Sequence, residues 1–235
     1  MTQTTLLEIG NSTIKVAHIA PGGDIAIERY SNLEALLRRC ELSDGPIICA
    51  PVGDALSTPT IERLEAAREI RVLRREEFAG FIGDSYDTPG TLGLDRILNL
   101  LGMGGDGVAI SCGTAITIDA VAGGRPVWGA IMPGFRTAAE GLHARVPVLP
   151  LVGLDARPGL PARTSLASVT NGVLLGTALG AEGVARLLAR DLFGGAPPRV
   201  ILTGGDAALL KGLWGGEEAA EVDEALLFRG MIAAA

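Results

Sequence analysis

The sequence predicts an α/β protein made of two similar halves with a cleft between them. Apolar runs typical of strands alternate along the 235 residues with longer amphipathic stretches typical of helices. An apolar strand, a turn of glycine and hydroxyl residues and a second strand occur over residues 6–16 and again over residues 109–119. Such an internal repeat predicts two related domains, which we expect over residues 1–108 and 109–235.

The elements of the first half follow from periodicity and turn residues. Residues 4–9 and 13–18 alternate as strands do and flank the segment Gly10-Asn11-Ser12, which is typical of a hairpin turn. Beyond this hairpin the patterns predict a helix over 32–42, a strand over 46–50, a helix over 58–69, a strand over 70–73 and a helix over 92–103.

The second half repeats the strand pattern and adds a long helix. It is predicted to contain strands over 107–111, 115–121, 126–131 and 200–202, and helices over 135–144, 166–192 and 223–234. Gly172, Gly176 and Gly180 are spaced by four residues and therefore share one face of the long helix. Such a face lets another backbone approach closely, either within the subunit or across the seam of a homodimer.

Composition excludes several classes of protein. Hydrophobic residues make up 48% of the chain and charged residues 20%, so the chain is globular rather than disordered. The net charge of -7 argues against a nucleic-acid partner. No charge-free run reaches the roughly 18 apolar residues of a membrane span, and the first residues lack the pattern of an export signal. Three cysteines without the spacing of a zinc site fit a reducing cytoplasm.

Common nucleotide and nucleophile motifs are absent or misplaced. Residues 102–107 match the glycine pattern of dinucleotide binders, but they follow a predicted helix and precede a strand, which reverses the order that such a site requires. A Walker A loop and a G-x-S-x-G nucleophile elbow do not occur. His18 and His143 are not paired with a nucleophile in any recognisable pattern, and we expect both to be structural.

The turn after the first strand has the residues of a phosphate site. The backbone N–H groups of Gly10 to Thr13 can bind phosphate oxygens, the carboxylate of Glu8 can hold Mg²⁺ through water, and Lys15 adds a positive charge. The same segment also reads as an ordinary hairpin turn. Its repetition at Ser111-Cys112-Gly113-Thr114 favours the phosphate site.

A second candidate site lies at the start of the helix predicted over 92–103. Asp95 can accept a proton from a substrate hydroxyl, and Arg96 can bind a carboxylate or phosphate with two parallel hydrogen bonds. The alternative is an acidic residue that stabilises the helix N-terminus beside a surface ion pair.

Taken in order, these motifs resemble those of the type III pantothenate kinases, a family of the actin-like ATPase and sugar kinase superfamily. The family's Asp-x-Gly-Asn-[Thr/Ser] turn with a following lysine aligns with residues 8–15, and its Gly-x-Asp-Arg motif with residues 93–96. Its Asp-x-Gly-Thr-Ala turn aligns with residues 111–115, its Gly-Gly-x-Ile-x-Pro-Gly segment with residues 128–134, and its Thr-Gly-Gly-Asp turn with residues 203–206.

The resemblance implies a fold, an activity and a set of site residues. It implies two actin-like (ribonuclease H-like) domains with a nucleotide cleft between them, in a cytoplasmic homodimer. The implied reaction is the ATP-dependent phosphorylation of pantothenate to 4′-phosphopantothenate, the first step of coenzyme A biosynthesis, with Mg²⁺ and with Asp95 as the base. The implied ATP contacts are Glu8, Gly10, Asn11, Ser12, Thr13, Lys15 and Thr114. The implied pantothenate contacts are Tyr86, Gly93, Leu94, Asp95, Arg96 and a hydroxyl at Thr164 or Ser165.

Two residues depart from the family pattern and keep alternatives open. Glu8 replaces the first aspartate and retains a carboxylate, whereas Ser111 replaces the second aspartate, which the family uses for a monovalent cation such as K⁺ or NH₄⁺. One alternative is therefore a weak or inactive paralogue that binds nucleotide or pantothenate in a regulatory or accessory role. Another is a kinase that acts on a different small hydroxylated acid.

Overall fold

The computed structural model describes residues 4–11, 13–19, 22–39, 45–67, 69–194, 198–216 and 220–235. The chain runs through β1 (Thr5–Ile9), β2 (Ile14–Ile19), β3 (Ile25–Tyr30), α1 (Leu33–Arg39), β4 (Ile47–Pro51), α2 (Asp54–Glu65), β5 (Ile70–Val72), α3 (Ala79–Ile82) and α4 (Leu94–Gly102). It continues through β6 (Gly107–Cys112), β7 (Ala115–Ala122), β8 (Arg125–Pro133), α5 (Phe135–Arg145), α6 (Ser165–Phe193), β9 (Val200–Thr203), α7 (Ala207–Leu213), β10 (Ala220–Val222) and α8 (Leu226–Ala233). Single 3₁₀ turns occupy Arg75–Phe78, Gly83–Ser85 and Pro89–Thr91.

The chain divides into two compact units. Unit 1 comprises residues 1–102 and 225–235, and unit 2 comprises residues 103–224. The sheet of unit 1 has the strand order β3-β2-β1-β4-β5, in which β1 pairs antiparallel with β2 and parallel with β4. The sheet of unit 2 has the order β10-β9-β6-β7-β8, with β6 antiparallel to β7 and parallel to β9.

The two sheets have the same topology. Read from the antiparallel edge, each places its strands in the order third, second, first, fourth, fifth along the unit. The prediction of two similar α/β halves is therefore confirmed at the level of strand order. In both units the first strand is central and its carboxyl end leads into a turn of glycine and polar residues.

Successive side chains of the central strands point alternately into the core and toward the opposite face of the sheet. Leu7 and Ile9 of β1 lie in an apolar core with Val16 of β2, while Glu8 between them projects from the opposite face of the sheet. In unit 2, Ile110 and Cys112 of β6 lie in the larger core, where the sheet packs against α5, α6 and α7.

Helix α8 belongs to unit 1, although it was expected within residues 109–235. It packs along α4, and the two helices cross at glycines with their backbones in contact. A β-carbon on Gly102 would overlap the carbonyl oxygen of Leu226, and one on Gly230 would overlap that of Leu98. The last helix of the chain therefore packs in the first unit. The prediction placed it in the second domain because it divided the chain at a single position.

Most predicted elements are confirmed to within a few residues, and the differences have local causes. Helix α2 begins at Asp54, before the predicted start at residue 58. The predicted start is late because Pro59, which lies inside this helix, normally stands in a first turn. Strands β3 and β10 and helices α3 and α7 were not predicted. β3 lies at a sheet edge with a largely exposed pattern, and β10 has only three residues, so neither carries a clear apolar signal.

Helix α6 is the long helix of unit 2. By length and composition alone it could cross a membrane, but it packs against the sheet and buries the polar residues Asn171, Thr177 and Glu182. Part of its apolar surface therefore belongs to the core of this unit, while Leu166, Leu179 and Leu187 remain exposed. A β-carbon added to Gly172 or Gly176 would meet no atom of the described chain within 4 Å. Close packing within the subunit does not explain these two glycines.

Candidate functional site

The first turn is held rigidly at the carboxyl end of β1. The N–H of Gly10 donates to the carbonyl of Thr13 at 2.9 Å, and the N–H groups of Val52 and Gly53 both donate to the carbonyl of Ile9 at 3.0 Å. A β-carbon on Gly53 would overlap the backbone N–H of Asn11, so only glycine fits at that position. Ser12, predicted to bind ATP, lies outside the described residues.

Glu8 and Lys15 form an ion pair directly behind this turn. They face each other across β1 and β2, and the Lys15 Nζ lies 2.8 Å from Oε1 and 2.9 Å from Oε2 of Glu8. Both side chains are largely shielded from solvent, with 12% of Glu8 and 19% of Lys15 exposed. The carboxylate that could hold a metal and the ammonium that could bind phosphate therefore neutralise each other.

The predicted base occupies the first turn of α4. Asp95 is half-buried and Arg96 is 5% exposed, so the guanidinium enters the protein rather than the solvent. A β-carbon on Gly93 would overlap Oδ1 of Asp95. The glycine of this Gly-Leu-Asp-Arg sequence thus leaves the space in which the carboxylate lies.

Hydrogen bonds from side chains hold the segment that precedes α4. The hydroxyl of Thr91 donates to the carbonyl of Thr88 at 2.9 Å, and Arg75 donates to the carbonyl of Gly90. Tyr86 is half-buried, whereas the side chain of Leu94 is buried. Tyr86, Gly93, Leu94, Asp95 and Arg96 are therefore carried by one short stretch of unit 1.

The second turn, Cys112 to Thr114, is held by two other segments of unit 2. The N–H of Gly134 donates to the carbonyl of Thr114 at 3.0 Å, and the hydroxyl of Thr137 donates to the same oxygen at 2.6 Å. The N–H of Asp206 donates to the carbonyl of Cys112 at 3.0 Å. Thr114 itself is exposed and accessible to a ligand.

Ser111 stands among hydroxyl groups. It is paired in register with Thr117 of β7 and Thr203 of β9, so the three side chains lie side by side on one face of the sheet. Burial raises the pKa of the nearby Asp206 carboxyl, and the positive charge of Arg136 opposes that shift. Asp206 and Arg136 thus place charges near this turn, whereas position 111 is neutral.

The thiols near the turns are not nucleophiles. Burial and the negative charge of Asp206 raise the pKa of Cys112 to about 12. Burial and Glu65 raise the pKa of Cys49 to about 12 as well. Both cysteines stay protonated at neutral pH and act as small apolar core residues.

Ser165 lines a cavity of about 680 Å³ in unit 2. The cavity is formed at the N-terminus of α6, where Thr164 caps the helix by accepting a hydrogen bond from the N–H of Ala167 at 3.1 Å. Apolar side chains such as Leu142 and Val169 line it together with Arg163. The cavity thus combines apolar surface, hydroxyl groups and one positive charge.

The structure groups the predicted site residues into two sets. Unit 1 carries the first turn with its ion pair and the Asp95 segment, and unit 2 carries the second turn and the Ser165 cavity. Sequence reasoning missed Gly53 and Thr137, which hold the two turns, and Arg136. A glycine between a strand and a helix signals a close backbone approach. Among the described residues, no cluster of three or more His, Cys, Asp or Glu could form a metal cage.

Comparison with known proteins gives a consistent result. A sequence model of the type III pantothenate kinase family matches residues 5–187. The chain is 33% identical over 239 residues to a type III pantothenate kinase of Halorhodospira halophila, covering 88% of this chain and 89% of that relative. It is 31% identical over 188 residues to one from Acidiphilium cryptum, covering 76% and 70%.

Solved structures agree on the fold. A Baf family protein of Campylobacter jejuni superposes with a TM-score of 0.65 at 23% identity, covering 98% of this chain and 96% of that one. Ta0583, an archaeal actin homolog, superposes with a TM-score of 0.50 at 12% identity, covering 100% and 98%. The fold is thus actin-like, with two α/β domains.

Proposed function

The chain belongs to the type III pantothenate kinase family, and on that premise we propose that it transfers the γ-phosphoryl group of ATP to the primary hydroxyl of pantothenate. The product is 4′-phosphopantothenate, and the reaction begins coenzyme A biosynthesis. One observation above all supports an active enzyme: the Asp95 carboxylate is held in a defined place beside Arg96, in space left open by Gly93.

Asp95 is the base of the proposed reaction. Its carboxylate accepts the proton of the pantothenate hydroxyl as that oxygen bonds to the γ-phosphorus, and the bond from this phosphorus to the bridging oxygen breaks to release ADP. Phosphoryl transfer depends mainly on positioning and on neutralising charge, so a single oriented base suffices.

The two turns supply the phosphate contacts. In unit 1, Asn11, Ser12 and Thr13 offer backbone N–H and hydroxyl donors, whereas the N–H of Gly10 donates to Thr13 and shapes the turn. Thr114 offers such donors in unit 2. When nucleotide binds, Lys15 exchanges its contact with Glu8 for phosphate oxygens. This releases the Glu8 carboxylate, which would then hold Mg²⁺ through water.

The residues present fit such an ion. Mg²⁺ in kinases takes one or two carboxylates and completes its shell with water and substrate phosphates, so the absence of a cage among the described residues does not conflict with it. Bound there, the ion would neutralise negative charge on the phosphates. Ser111 provides no charge for the monovalent cation of the family, and we propose that turnover does not depend on K⁺.

Pantothenate presents a carboxylate, an amide, two hydroxyls and an apolar dimethyl group. Arg96 suits the carboxylate, Tyr86 and the backbone of Gly93 and Leu94 suit the polar centre, and the Ser165 cavity combines hydroxyl and apolar surface. We assign these residues as the substrate contacts.

The proposed enzyme is a cytoplasmic homodimer. Gly172 and Gly176 of α6 form an open face beside Leu179, whose side chain is 53% exposed. A second copy packed on this face would remove that apolar side chain from water. Gly176→Leu should then yield monomers in light scattering, and an unchanged dimer would show that the seam lies elsewhere.

The function is tested by measuring ADP release with ATP and Mg²⁺, with and without pantothenate. Release that requires pantothenate supports the proposal. Release that requires a different hydroxylated acid would identify another acceptor. No release from folded protein, combined with nucleotide or pantothenate binding in calorimetry, would identify a non-catalytic regulatory or accessory paralogue.

A further inference from the structure

A further cavity lies in unit 1, beside the predicted substrate segment. It has a volume of about 300 Å³ and lies at the carboxyl ends of the parallel strands β4 and β5, where Pro51 and Val72 are the last strand residues. Helix α2 contributes Ser57 and Thr58 to its wall. Small ligands bind in such positions in α/β sheets, and the volume suits a small molecule.

The wall of this cavity is positively charged. Arg74 and Arg75 come two and three residues after the end of β5, and both line the cavity, against the single carboxylate of Glu76. The exposed hydroxyl of Thr58 adds a polar group to this surface, whereas the hydroxyl of Ser57 donates to the carbonyl of Gly53. Planar guanidinium groups beside hydroxyls are the chemistry that binds carboxylates and phosphates.

One N–H group of the Arg75 guanidinium has no hydrogen-bond acceptor in the described chain. One terminal nitrogen donates to the carbonyl of Gly90, but Nε is buried and has no acceptor within the described chain. A buried N–H without an acceptor costs free energy, so its persistence calls for a partner that the chain does not supply. An oxyanion would be such a partner once the guanidinium turns this N–H toward the cavity.

The same arginine connects the cavity to the predicted substrate segment. Its bond to Gly90 reaches the 3₁₀ turn that precedes Gly93, and the buried side chain of Leu94, next to Asp95, forms part of the cavity wall. We propose that this cavity binds a small oxyanion, carboxylate or phosphate, through Arg75 and Arg74, and that the bound anion fixes Arg75 against Gly90. The proposal does not depend on the kinase activity.

The test follows the arginine Nε–H signals of the full chain by NMR with ¹⁵N-labelled arginine. Inorganic phosphate is added in one titration and pantothenate in another, with ionic strength held constant by NaCl. The Arg75 signal is identified as the one missing in Arg75→Gln and in Arg75→Lys. Arg38, an exposed residue of α1 paired with Glu34, provides the control signal through Arg38→Gln.

We expect a saturable shift of the Arg75 signal and none of the Arg38 signal. A shift with phosphate alone identifies a site for a free anion, and a shift with pantothenate identifies a site that also takes a carboxylate. Thr58→Phe, which fills the cavity but retains Arg75, should abolish the shift. An Arg75 signal that stays fixed up to about 50 mM of either anion, where a millimolar site would be saturated, or that moves only as Arg38 does, would overturn the proposal.

Discussion

The carboxylate of Asp95 occupies the space in which a side chain on Gly93 would begin. A β-carbon at position 93 would overlap Oδ1 of Asp95 and come within 3.8 Å of the Arg96 side chain. The glycine, the base and the arginine of this short sequence are therefore one steric unit. The spacing of the motif has a physical cause in addition to its chemistry.

Gly93→Ala should reduce kcat strongly and change the free energy of unfolding only slightly. The new methyl group must displace the Asp95 carboxylate, and a misplacement of about 1 Å is expected to reduce turnover roughly 100-fold. Gly90→Ala is the matched control, because a β-carbon there meets nothing within 4 Å. Equal kcat values for the two variants in the ADP-release assay would contradict the steric role of Gly93.

Lys15→Met should weaken both the fold and ATP binding. It leaves the shielded Glu8 carboxylate without its ammonium partner, which should lower the free energy of unfolding in urea by about 1–2 kcal/mol. It should also raise the KM for ATP about tenfold, equivalent to roughly 1.4 kcal/mol. In the double variant with Glu8→Gln the stability loss should be smaller than the sum of the single losses. Additive losses would show that the pair does not contribute to stability.

Ser111→Asp should introduce a dependence on potassium. The wild-type chain carries neutral hydroxyls at this place, and we expect equal turnover in KCl and NaCl. A carboxylate between Thr117 and Thr203 creates a charged cation position, so the variant should turn over faster in KCl. Ser111→Asn, similar in size but uncharged, should behave as the wild type does. A wild-type enzyme that already requires potassium would contradict this account.

Gly102→Ala should destabilise unit 1. The added methyl would overlap the carbonyl of Leu226 where α4 crosses α8, and overpacking of this kind costs about 1–3 kcal/mol. Gly183→Ala in α6, where nothing lies within 4 Å, should instead stabilise by about 0.5–1 kcal/mol. Urea unfolding measures both changes. A neutral Gly102→Ala would mean that the helix crossing relaxes without cost.

The fold was predictable where patterns are local. The hairpin around Gly10 and its repetition around Gly113 both carry alternating strands and a turn signal, and the structure confirms them as equivalent turns on equivalent strands. The packing of α8 on α4 was not predictable, because it depends on a contact between glycines separated by more than 120 residues in sequence.

The sequence predicts which residues form the candidate site but not all of the contacts between them. The sequence indicates that Glu8 and Lys15 lie near phosphate, but not that they bind each other in this structure, since cross-strand register decides that contact. The sequence also gives no sign that Arg75 reaches Gly90, 15 positions further along the chain, because the residues between them contain no regular pattern.

The central claim is tested most directly by comparing the wild type with Asp95→Asn while 4′-phosphopantothenate is detected by mass spectrometry. Calorimetry on both proteins verifies that ATP and pantothenate still bind. The account predicts product from the wild type and a loss of turnover of about 10²–10⁴-fold in the variant with binding retained. Undiminished product formation by Asp95→Asn, or none by the folded wild type, would contradict it.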